Sequence, residues 1–145
     1  MNDIAFSRGL TPIHWVEAFD TLGQNLDKRT ILQVCPSTVA GLCGYSTTTI
    51  GTVVAAGYRA IYNDYANYYL GMYGGANTWA KIYDVEPLDG IGDPEEQKRV
   101  VGAEVCKWGE STDGSIFDAK IWPRLAAAAS PDVEIVCACR PGLYD

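Results

Sequence analysis

TILQV at residues 30–34, followed by STTTIGTVVAAGYRAIYN at residues 46–63, decides the fold. The first run is apolar, rich in β propensity and stopped by Pro36, so it reads as a buried strand. STTTIGTVVAAG (46–57) reads as a helix, with Ser46 as candidate cap and Gly57 as its stop. YRAIYN (58–63) reads as the next strand. Strand, helix, strand is the repeating unit of parallel β/α architecture. Near-continuously apolar strands suit a parallel sheet covered on both faces.

The same alternation extends both ways. Upstream, TPIHW (11–15) ends a strand, and VEAFDTLG (16–23) forms a short helix closed by Gly23. Downstream of Asn63 comes a loop rich in Tyr and Gly, then a short helix at TWAKIYD (78–84). Asp93-Pro94 followed by EEQK has the form of a helix start, with Asp at the cap and Pro in the first turn. VVGAEVCKW (100–108) is a further strand, and DAKIWPRLAAAA (118–129) a helix containing a proline. This pattern is α/β. By itself it leaves a doubly wound sheet and a barrel equally open.

Composition narrows the function. The 145 residues suffice for one domain, and 48% hydrophobic with 20% charged residues is ordinary for a globular chain. A net charge of -7 argues against nucleic-acid binding, which relies on clustered Lys and Arg. No apolar run of about 18 residues is present, so no membrane span is expected. MNDIAFSRGL has no basic region followed by an apolar run, so no signal peptide is read. The five cysteines, Cys35, Cys43, Cys106, Cys137 and Cys139, fit no disulfide framework and read as small buried thiols. With one histidine, His14, and no CxxC pair, neither a metal site nor a cofactor is expected.

In parallel β/α folds the working residues lie just past the C-terminal ends of strands. Trp15 and then Glu17 follow the first strand, and Cys35 follows the second. Asp64, Tyr65, Tyr68 and Tyr69 follow the third; Trp108, Gly109 and Glu110 follow the fourth. Aromatic side chains thus recur at strand ends, with a carboxylate beside the last. Such a set suits a sugar, whose apolar ring face stacks on indole or phenol while its hydroxyls need fixed acceptors. Taken singly, each of these residues fits packing or solvation as well.

A resemblance sharpens this. YDVEPLDG (83–90), EEQKRVVGAEVCKWGESTD (95–113) and WPRLAAA (122–128) closely resemble the C-terminal part of the glycoside hydrolase family 20 barrel, the β-N-acetylhexosaminidases. PIHWVEAFDTL (12–22), KRTILQV (28–34) and GYRAIYNDYANYYLG (57–71) are similar to that family's fifth, sixth and seventh strands. The resemblance implies a partial (β/α)8 barrel, about strands 5–8 with their helices, over residues 1–129. Residues 130–145 form an atypical tail, SPDVEIVCACRPGLYD, unlike the family.

The family hydrolyses terminal N-acetylglucosamine or N-acetylgalactosamine from glycans. The substrate's acetamido oxygen attacks the anomeric carbon, so the enzyme supplies no nucleophile of its own. An Asp-Glu pair orients that group and acts as general acid and base. The resemblance assigns Trp15 to the aromatic cage and Tyr69 to the acetamido carbonyl. It assigns Trp108 to stacking on the sugar ring and Glu110 to the ring hydroxyls. Departures are Cys35 where the family has Trp, and Gly71 where it has Asp or Asn. No Asp-Glu dipeptide occurs in the chain, and Glu95-Glu96 sits at a surface helix start, so catalysis by this chain alone is not expected. Three readings follow: a part of a hexosaminidase, a non-catalytic sugar-binding half-barrel, or a half-barrel completed by an N-terminal partner or a second copy. A half-barrel with two open sheet edges is expected to be marginally stable alone. A full-length eukaryotic parent would be lysosomal or secreted.

Overall fold

The computed structural model describes residues 2–35, 46–70, 78–109 and 112–129. Four strands form one parallel sheet: β1 (Ile13–Trp15), β2 (Ile31–Val34), β3 (Arg59–Tyr62) and β4 (Val100–Ala103). Their spatial order is β1-β2-β3-β4, the order of the sequence. A doubly wound sheet reverses direction at a switch point, whereas a barrel steps always to the same side. The unbroken order resolves the choice left open by the sequence: the chain is α/β, a partial (β/α)8 barrel.

Helices alternate with the strands: α1 (Asn2–Ser7), α2 (Glu17–Leu22), α3 (Ile50–Ala55), α4 (Tyr65–Tyr68), α5 (Trp79–Tyr83), α6 (Pro94–Gln97), α7 (Phe117–Ile121) and α8 (Arg124–Ala128). Gly23 and Gly57 end α2 and α3 at φ 53° and 88°, as their residue type predicted. Asp93 caps α6, accepting from the Glu95 N–H at 2.8 Å.

Four expectations need correction. The helix after β2 starts at Ile50, and its cap is Thr49, whose hydroxyl accepts from the Thr52 N–H at 3.3 Å. Ser46 instead closes a local turn by accepting from the Thr48 N–H. The run 118–129 is two helices, because Pro123 lacks the N–H that a continuous helix requires. The segment after Asn63 is not all loop: Asp64 caps a helical turn, Tyr65–Tyr68. Cys35 is disulfide-bonded, whereas Cys106 is a free, half-buried thiol. Cys43, Cys137, Cys139, Gly71 and the tail lie outside the described residues.

Alternation along the strands divides two faces. Leu32, Val34 and Ala60 point outward into one apolar cluster with Val53, Val54 and Tyr58. Ala103 joins a second cluster with Ile82 of α5 and Ala127 and Ala128 of α8, and Tyr62 touches both. Ile31, Gln33 and Ile61 therefore face inward, toward what is the lumen in a closed barrel. In β4 a bulge intervenes: Val100 pairs with Ala60, but Gly102, not Val101, pairs with Ile61. The extra residue reverses the alternation, so Ala103 and Val105 face the helices while Glu104 and Cys106 face inward.

Candidate functional site

All four strands are parallel, so their C-terminal ends share one rim. Trp15 ends β1 there and is 45% exposed. Past the last strand residues, the β3–β4 pairing continues. Glu104 N–H donates to Tyr62 O at 2.8 Å, Cys106 N–H to Tyr68 O at 2.9 Å, and Leu70 N–H to Cys106 O at 2.7 Å. Tyr69 and Cys106 are bridge partners in this extension. Trp108, two residues beyond Cys106, is 60% exposed. The Tyr69 ring stacks on Tyr65 with centroids 5.0 Å apart. Tyr69 and Trp108 therefore stand on adjacent strand extensions. Trp15, on β1, stands two strands from Tyr69 and three from Trp108, about 10 and 14 Å at ordinary strand spacing. Glu110 lies outside the described residues.

The other strand-end groups have local tasks. Asp64 accepts from the Ala66 N–H at 2.8 Å and from Asn67 Nδ2 at 2.5 Å, fixing α4. Burial and this carboxylate raise Tyr62, and they push Tyr68 up to about 12; both phenols stay neutral and pack edge to face at 5.7 Å. Glu17 differs: its Oε2 is buried with no hydrogen-bond partner among the described residues, two residues beyond Trp15. His14 is held by Asn2 Oδ1 at 2.7 Å. Among the described residues no group of three His, Cys, Asp or Glu is gathered for a metal ion. A cavity of about 500 Å³ lies on the helical side, lined by Tyr62, Lys81, Asp84 and Glu86 among others. Neither Trp15, Tyr69 nor Trp108 reaches it.

Sequence reasoning missed the floor beneath the rim. Gln33 Nε2 donates to Glu104 Oε2, Cys106 Sγ to Glu104 Oε1 at 3.7 Å, and Asn63 Nδ2 to Cys106 Sγ at 3.3 Å. Gln33 and Glu104 are two strands apart, roughly 10 Å at the backbone. Ile61 of β3 stands between the two strands, pairing with Gln33 on one side and with Gly102, which carries no side chain, on the other. Burial raises the Glu104 carboxyl, opposed by the Cys106 and Gln33 hydrogen bonds, and burial likewise raises the Cys106 thiol. A carboxyl whose folded pKa lies above its unfolded value favours folding most at pH below the unfolded value. That contribution is lost as pH rises through the folded value. Denaturant titrations across this range are expected to show the stability difference between the parent and Glu104→Gln changing with pH in that direction. A difference independent of pH would contradict the raised carboxyl.

The comparisons with known proteins agree with one another. Residues 1–131 match the family model described as glycosyl hydrolase family 20, catalytic domain. The chain is 41% identical over 126 residues to Beta-hexosaminidase 1 of Arabidopsis thaliana, covering 87% of this chain and 21% of that protein. It is 34% identical over 127 residues to Beta-hexosaminidase subunit alpha of Bos taurus, covering 88% and 23%. The chain thus spans about a fifth of the length of these curated relatives. Among solved structures it superposes on a family 20 exo β-N-acetylglucosaminidase from Vibrio harveyi in complex with N-acetylglucosamine. The TM-score is 0.59 at 25% identity, covering 88% of this chain and 20% of that one. A chitobiase from Flavobacterium johnsoniae gives a TM-score of 0.63 at 24% identity, covering 81% and 17%, a likeness of fold.

Proposed function

Because the chain belongs to glycosyl hydrolase family 20, we propose that its rim is the sugar-cradling half of a β-N-acetylhexosaminidase active site, specific for terminal N-acetylglucosamine or N-acetylgalactosamine. Trp15 forms a cage wall for the acetamido methyl, Tyr69 donates to the acetamido carbonyl, Trp108 stacks on the ring and Glu110 accepts from ring hydroxyls. Residues 1–129 are the working unit. The observation that carries this reading is the placement of two exposed indoles and a rim tyrosine at the C-terminal ends of parallel strands. What supports the reading is their position: in β/α barrels ligands bind at the C-terminal ends of the strands.

Holding the acetamido oxygen near the anomeric carbon is the chemistry these residues supply. It turns an internal group into a nucleophile in near-attack geometry. Protonating the leaving group is not theirs: the chain has no Asp-Glu dipeptide. General acid catalysis contributes roughly 10²–10⁴-fold in rate, so the chain alone binds and does not turn over. Turnover requires a chain bearing the first four strands, which would also cover the open edges of β1 and β4. The non-catalytic reading, a sugar-binding half-barrel, shares the same rim and differs only in whether such a complement exists.

The test is a titration of the purified chain with N-acetylglucosamine, followed by NMR, together with an assay on a nitrophenyl N-acetylglucosaminide. Saturable binding without chromophore release is expected. No binding at millimolar sugar would remove the cradle assignment. Turnover above background would show that another acid serves.

A further inference from the structure

Among the described residues, one carboxylate gathers the inner floor of the sheet. Glu104 accepts from Gln33 of β2 through one oxygen and from Cys106 through the other, and Cys106 in turn is held by Asn63 at the end of β3. Each arm ends next to a rim residue. Gln33 is the register partner of Trp15, and Cys106 is the bridge partner of Tyr69 and stands two residues before Trp108. The lumen of a β/α barrel is ordinarily filled by branched apolar side chains. A half-buried carboxylate whose bonded partners are an amide and a thiol, neither of them charged, costs stability. A carboxylate does offer what an aliphatic residue cannot: two acceptor oxygens, each able to take a separate donor with charge-assisted strength.

We propose that Glu104 is a positioning residue, tying the strand beside Trp15 to the paired strand extensions that carry Tyr69 and Trp108, so that the three rings keep the separation an N-acetylhexosamine requires. This rests on the reading of the rim as an acetamido-sugar site. Glu104 does not touch the sugar. It acts through Gln33 and Cys106, and the rim beyond Tyr69 and Cys106 depends on this floor for its alignment. Displacing a positioning contact by about 1 Å can cost on the order of 100-fold in a reaction's rate, and binding geometry is subject to the same constraint.

The experiment compares the full chain with Glu104→Leu, Glu104→Gln and Gln33→Leu, recording N-acetylglucosamine affinity and the indole N–H resonances of Trp15 and Trp108 without sugar. Glu104→Leu is expected to weaken binding by about tenfold or more and to shift both indole signals. Glu104→Gln, which keeps an acceptor for Gln33, is expected to return affinity to within roughly threefold of the parent. Gln33→Leu cuts the same tie from the other end and is expected to match Glu104→Leu, which keeps the test open if the latter fails to fold. Unchanged affinity and unchanged indole signals in a folded Glu104→Leu or Gln33→Leu chain would overturn the proposal. If the parent itself does not bind the sugar, the rim reading fails, and the indole signals alone then decide. Shifted signals support positioning of the rings, and unmoved ones sink it.

Discussion

Trp108→Ala is expected to lower the affinity for N-acetylglucosamine by roughly 30-fold, beyond detection at millimolar sugar. The indole is 60% exposed in the free chain, so its removal leaves the fold intact and the loss is one of ligand contact. Covering an aromatic side chain with an apolar ring face is worth about 1.5–3 kcal/mol, most of what a monosaccharide gains at such a site. Trp79→Ala is the control. That indole is also exposed, at 57%, but it lies on α5, which packs against α8 on the helical side, and its loss is expected to leave binding unchanged. Ligand-observed NMR suits the measurement, because it does not depend on tryptophan fluorescence. Parental affinity in Trp108→Ala would sink the assignment of the ring-stacking surface.

Tyr58→Ala should have the largest effect on stability. Tyr58 has no exposed surface, packs edge to face on Phe19 at 5.5 Å and lies under the Lys28 ammonium at 3.7 Å. Its hydroxyl donates to Leu26 O at 2.8 Å and lies 3.2 Å from Gly23 O, pinning the turn between α2 and β2. Truncating a buried aromatic ring costs about 3–5 kcal/mol, a large part of the 5–15 kcal/mol typical of a whole domain. Far-UV circular dichroism in urea should find this variant largely unfolded where the parent is folded. Tyr58→Phe, which loses only the hydroxyl, should fall between them, at about 1 kcal/mol. A Tyr58→Ala midpoint close to that of the parent would mean that the cluster around α3 does not hold the sheet.

Much of this architecture was legible in the residues. TILQV and YRAIYN gave β2 and β3 because burial on both faces leaves an apolar run that needs no partner to be recognised. Gly23, Gly57 and Asp93-Pro94 marked helix ends through local backbone chemistry. Trp15, Tyr69 and Trp108 could be placed at strand ends because parallel pairing sends every C-terminus to one side. What escaped were properties of pairs distant in the chain. Gln33 and Glu104 are 71 positions apart, and nothing near either announces the other. The cap of α3 was misplaced because Ser is the better capping residue of the two, and tertiary placement selects Thr49 against that preference. The disulfide at Cys35 escaped because spacing alone does not pair cysteines.

The bulge in β4 carries a consequence for how this strand tolerates change in length. Counting every second residue from Val100 would send Glu104 to the helices; the looped-out Val101 is what turns it inward. Deleting Val101 would leave Val100 and Gly102 as ordinary alternating neighbours and keep every later side chain on its present side. Deleting or inserting one residue between Gly102 and Val105 would instead exchange the sides of every residue after it, so that a deletion of Ala103 or Glu104 drives Val105 into the lumen and the thiol of Cys106 toward the helices. Of the positions in this strand, the one that breaks the pattern is therefore the one that natural variation can discard.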